Sequence, residues 1–120
     1  MPIEPFTERL AKVRHRFAST LESKIEDAFV ALPNLSGEGA EVAEAVGETY
    51  RRIHSIAGIG KAIGFAATGR AARSVENILM PAHYAGRGLK AEEAIALRKE
   101  LQTLRAAAQR ELDLDAPSGM

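Results

Sequence analysis

Residues 50–65 read Tyr50-Arg51-Arg52-Ile53-His54-Ser55-Ile56-Ala57-Gly58-Ile59-Gly60-Lys61-Ala62-Ile63-Gly64-Phe65. Turned through about 100° per residue, Ile53, Ile56 and Gly60 continue a stripe begun by Val42, Val46 and Thr49. That stripe predicts an amphipathic helix over 39–63, one side against a core, closed by Gly64 as a C-terminal glycine. His54 falls at the border of the stripe, between buried and wet. On the outer side around it fall Gly47, Arg51, Gly58 and Lys61, at offsets of −7, −3, +4 and +7. Glycine inside a helix costs about 0.5–1 kcal/mol relative to alanine. Two glycines beside one titratable ring imply that something approaches this backbone closely.

The helical period continues outward on both sides. Upstream, Phe6, Leu10, Val13, Phe17, Leu21, Ile25 and Phe29 recur in steps of three and four, a long helix over 5–31. Pro5 suits its first turn and Pro33 stops it. Residues 33–39 carry turn chemistry, with Ser36 expected as the N-cap of the second helix. Downstream, a third helix is expected over 66–80, with Ala71, Ala72, Val75, Ile78 and Leu79 inward and Pro81 as its end. A fourth is expected over 90–112, with Ala94, Leu97, Leu101, Leu104 and Ala108 inward. Four amphipathic helices on short loops predict an all-α, antiparallel up-down-up-down bundle over 1–112. The tail 113–120, with Pro, Ser and Gly, is expected to be disordered.

Composition excludes several classes of function. The 16 basic and 16 acidic side chains cancel, so no global pull toward nucleic acid or an anionic membrane is expected. The absence of cysteine removes disulfides, thiolate chemistry and Cys-based zinc sites. The three histidines sit in separate segments without an i, i+4 ligand pair, so no metal site and no cofactor is expected. No apolar run approaches the roughly 20 residues that span a bilayer. A start of Met-Pro-Ile-Glu-Pro lacks the basic and apolar regions of a secretory signal, so the expected location is cytoplasmic. Gly58 to Gly64 fails the phosphate-loop pattern and lies within a helical period, which argues against nucleotide binding.

His54-x-x-Ala57-Gly58, followed by Gly64 ten residues after the His, resembles the signature of histidine phosphotransfer (HPt) domains. The family pattern is H-x-x-K-G-x-x-x-x-x-G on the second helix of a four-helix bundle. His54, Gly58 and Gly64 match in register, while Ala57 stands where the family has lysine. The resemblance covers about thirty residues and implies a phosphoryl acceptor at His54 Nε2. It also implies an orienting Gln or Glu on the next helix, where Glu76 stands 22 residues after His54. Receiver domains of response regulators and a sensor or hybrid histidine kinase are the implied partners.

The residues fit that chemistry. A neutral imidazole is nucleophilic at one nitrogen when the other is held as N–H by an acceptor. Lys61 and Arg51 can meet phosphoryl oxygens through charge-assisted hydrogen bonds, Lys61 taking over part of the role of the absent lysine. Tyr50, Arg51, Ser55, Gly58, Ile59 and Lys61 are expected to form an exposed docking face around His54. No autonomous catalysis is expected, because there is no paired base, nucleophile and pocket. The chain is expected to act as a monomer. A helical interaction or regulatory module with an incidental His54 is the alternative, and a helical DNA-binding protein is disfavoured by the neutral charge. His15, between two arginines, is expected to be solvated, and His83 to cap or pack in the loop beside Tyr84.

Overall fold

Four helices form within residues 5–115, the part of the chain that the computed structural model describes. They are α1 (Pro5–Ala31), α2 (Ala40–Ala62), α3 (Ala66–Ala85) and α4 (Ala91–Asp115), with a 3-10 turn at Leu32–Asn34. No strand occurs among the described residues; Ser36 and Leu89 make an isolated bridge between the two loops at one end. Consecutive helices pack antiparallel and α4 closes back on α1, giving the up-down-up-down bundle. The predicted stripes supply the core: Leu21 and Ile25 from α1, Ile53 and Ile56 from α2, Val75 and Leu79 from α3, Leu97 and Leu101 from α4.

Several boundaries differ from the period-based expectation. Ser36 does not cap α2; Gly39, at φ 110°, takes that place without a side-chain hydrogen bond. Pro81 does not end α3, which runs on to Ala85. Pro81 is on the exposed face, while Ala82 is buried and His83 stacks on Tyr50. The helix closes instead at Gly86 in the left-handed conformation, with Arg87 N–H donating to the Ala82 carbonyl at 3.0 Å. Residues 113–115, expected in the disordered tail, continue α4, and 116–120 lie outside the described residues.

The stripe of α1 is only partly used. Phe17, Leu21, Ile25 and Ala28 are buried, whereas Leu10 and Val13 are 40% and 45% exposed. The reason is length. Arg14 donates to the Ile63 carbonyl at the end of α2 and pairs with Asp115 at the end of α4, 2.6 Å away. Arg14 therefore marks the end of the bundle, and the residues before it run past their neighbours. The expected core position Phe6 lies outside the described side chains.

The turn between α2 and α3 sets how closely the two helices lie. Gly64, at φ 92°, lets Phe65 N–H donate back to the Gly60 carbonyl at 2.8 Å, so α3 reverses tightly against α2. The first turn of α3 has no cap of its own. Glu111 of α4 supplies one, accepting from Ala67 N–H at 3.1 Å, Thr68 N–H at 2.7 Å and the Thr68 hydroxyl at 2.6 Å. Burial pushes the Glu111 carboxyl up, but these bonds and the charge of Arg70 together hold it below its ordinary value. A depressed folded-state pKa stabilises the fold above the unfolded value of about 4.3 and is lost as pH falls through the folded one. Glu111→Ala is expected to lower the unfolding free energy by about 1–2 kcal/mol at neutral pH. In urea titrations the gap between variant and wild type should narrow as pH falls through the ordinary glutamate range and close below it.

Candidate functional site

His54 lies on the outer face of α2 with its side chain 60% exposed, and Glu76 of α3 lies beneath it, only 1% exposed. The His54 Nδ1 is 2.5 Å from Glu76 Oε2. An ionised carboxylate can only accept, so with Glu76 ionised the contact requires the Nδ1–H tautomer, which leaves the lone pair on Nε2. A buried carboxylate is costly unless it is hydrogen-bonded and paired. Glu76 meets that cost only in part. Its second oxygen, Oε1, is buried without a hydrogen bond, and the nearest cation is the Arg73 guanidinium, 3.3 Å away and one turn earlier on α3. The site is thus an exposed imidazole, a buried carboxylate and a half-exposed guanidinium in series.

The two helices reach this register because small residues line their contact. A methyl group at Gly69 would lie 3.1 Å from the Lys61 backbone nitrogen and 3.4 Å from the Ala57 carbonyl. One at Gly60 would lie 3.3 Å from the Phe65 carbonyl. Ala57 is itself buried beside this seam, at the edge of a groove between the two helices.

The remaining expected residues separate into two groups. Arg51, Gly58, Ile59 and Lys61 are exposed around the ring, and Ser55 is half-buried. Tyr50 does not belong to the exposed face: it is 8% exposed, because its ring is covered by His83, stacked at 4.3 Å. The same ring lies near-parallel to His54 at 6.0 Å. The Tyr84 hydroxyl, burial and the nearby Glu76 carboxylate push the Tyr50 phenol up to about 12, so it remains a neutral wall of the site. Gly47 is also buried, and a methyl group there would lie 3.3 Å from the Arg51 guanidinium and 3.5 Å from His83 Nδ1, so it does not open the face around His54. His83 sits on α3 rather than in the expected loop, and His15 is exposed.

Arg73 joins the pair through Glu76 without being marked by the helical period or the family signature. Arg73 was legible, since it stands three residues before Glu76, the spacing of one helical turn. Among the described residues no group of three or more metal-binding side chains is placed to hold an ion. No helix among them is long and apolar enough to cross a membrane. No protein-family profile, curated protein or solved structure matches the chain.

Gly58 differs from the packed glycines. A methyl group there would meet no atom of the protein within 4 Å. Gly58→Ala is expected to raise the unfolding free energy by about 0.5–1 kcal/mol. Gly69→Ala should lower it by about 1 kcal/mol or more, since backbone on the facing helix must move. Chemical denaturation of both variants checks the pair.

Proposed function

We propose that the protein is a histidine phosphotransfer carrier, relaying a phosphoryl group through His54 between the aspartates of receiver domains, or from a kinase, in a two-component phosphorelay. The observation that carries this reading is the exposed ring whose Nδ1 is held by a buried carboxylate at 2.5 Å. A surface histidine without a task has no use for a buried, half-satisfied glutamate behind it.

In the accepting step, the Nε2 lone pair attacks the phosphorus of the partner's acyl phosphate. The N–P bond forms, the P–O bond to the aspartyl carboxylate breaks, and the aspartate leaves with the bonding electrons. The Nδ1 proton stays in place, so the ring becomes cationic, and Glu76 is positioned to stabilise that charge as it develops. The donating step is the reverse. Charge on the moving phosphoryl oxygens is met by Lys61, Arg51 and Arg73, which are all exposed beside the ring or its carboxylate. Mg²⁺, where required, belongs to the receiver partner. Gly58, one turn beyond His54, has open space around it for a partner, and Ile59 supplies an apolar contact, 37% exposed. The carrier reading places the protein in the cytoplasm, where receiver domains and kinases act.

Incubation with a phosphorylated receiver domain and its kinase tests the reading. An acid-labile, base-stable phosphate should appear and map to His54 by mass spectrometry, and His54→Gln should take up none. Glu76→Ala should slow transfer by roughly 10- to 100-fold, the value of one charge-assisted hydrogen bond. Phosphate on another residue, or equal uptake by His54→Gln, would refute the carrier role. Unchanged kinetics in Glu76→Ala would remove Glu76 from it.

A further inference from the structure

The chain is neutral overall, yet its charges are sorted along α2 and α3. Residues 38–48 hold four carboxylates (Glu38, Glu41, Glu44, Glu48) and no base. Residues 49–75 hold five bases (Arg51, Arg52, Lys61, Arg70, Arg73) and no carboxylate. Three of these bases, Lys61, Arg70 and Arg73, line one groove of about 530 Å³ between the two helices, together with the small residues Ala57, Ala66 and Gly69. All three are exposed. Arg73 reaches Glu76, and the charge of Arg70 is felt by Glu111, but no described carboxylate forms an ion pair with Lys61 or Arg70. The groove therefore keeps a positive potential that its protein walls concentrate.

We infer that this groove docks an acidic protein surface on the partner, the surface that surrounds its phosphorylated aspartate. The inference rests on the carrier reading and adds where the partner sits and what charge it presents. The chemistry of that partner favours acid. An acyl phosphate is itself anionic, and a Mg²⁺ that serves it is held by carboxylates. Seating those groups over Lys61, Arg70 and Arg73 brings them beside the His54–Glu76 pair. The carboxylates of Glu41, Glu44 and Glu48, exposed on the other half of α2, repel the same surface. Attraction at one end and repulsion at the other fix the register along the helix.

A nucleic acid fits less well. Duplex DNA carries a charge every ~1.7 Å along its axis. The basic part of α2, from Arg51 to Lys61, extends only about 15 Å at helical rise. A duplex laid along it would run onto Glu48 and Glu44. A compact acidic patch does not.

The test uses two phosphodonors on the full chain: a purified phosphorylated receiver domain, which must dock, and phosphoramidate, which is too small to need docking. Lys61→Glu/Arg70→Gln is compared with wild type after circular dichroism and urea unfolding establish that it folds. Arg70→Gln alone serves as a second variant, because it places no new carboxylate near Glu111. The ratio of the receiver rate to the phosphoramidate rate is expected to fall at least about 10-fold in the double variant at low ionic strength. The wild-type receiver rate should fall as salt rises from about 50 to about 300 mM, while the variant's changes little. An unchanged ratio, with His54 labelled by both donors, overturns the docking site and leaves the carrier reading standing. No label on His54 from either donor overturns both. Protection of the groove by a 20-base-pair duplex, roughly two helical turns, that blocks receiver transfer at physiological salt would reassign it to nucleic acid.

Discussion

Where α3 crosses α2, the backbone nitrogen of Lys61 lies so near Gly69 that a single methyl group would come within 3.1 Å of it. Gly60, Ala57 and Gly69 remove side chains from the seam, and the tight turn at Gly64 starts α3 directly alongside. This close approach sets the distance between the helices at the next turns along, where His54 and Glu76 meet. A seam of larger residues would hold the helices further apart, and a glutamate would no longer reach the imidazole. The chemistry of the site is thus a consequence of how little material lies between two helices.

The carboxylate beneath the ring is the point where stability gives way to function. Glu76 occupies a core position, fully surrounded, with one oxygen bonded to His54 and the other lacking a hydrogen bond. A leucine or methionine would fill such a position without the desolvation cost. In return the fold holds an imidazole in one tautomer and offers the ring a negative charge that water cannot screen well. Tyr50, backed by His83, and Arg73 flank the pair, the first as a neutral aromatic wall and the second as a cation within reach of the free oxygen.

Much of the architecture was legible in the sequence because it depends on the helical period. The stripes of Val46, Ile53 and Ile56, and of Leu97, Leu101 and Leu104, are long and regular, and they are buried as their spacing requires. Boundaries were less legible where tertiary contacts outweigh local rules. Pro81 punctuates a helix by its own chemistry, but burial of Ala82 and the His83–Tyr50 stack carry α3 past it. The exposure of Leu10 and Val13 depends on where the other helices end, which no local pattern in α1 records. Within the site, the pairing of His54 with Glu76 came from the spacing of a resemblance. A local sign was present as well, since Glu76 follows Ala72 by four residues and precedes Leu79 by three, on the buried stripe of α3. Gly47 and Tyr50 were misplaced because both border α2's stripe, and Tyr50 is covered by His83 on another helix.

Phosphoryl transfer at this site requires that the hydrogen of the neutral His54 ring sit on the nitrogen facing Glu76. Long-range ¹H–¹⁵N correlation of the His54 ring in the unphosphorylated protein, at a pH where the ring is neutral, reads this directly. Because Glu76 accepts from Nδ1, the spectrum should show Nδ1 protonated and Nε2 bare, and Glu76→Ala should return the ring to the tautomer mixture of a free histidine. A wild-type ring protonated mainly at Nε2 would contradict the carrier mechanism, for the nitrogen facing the partner would then have no lone pair to offer.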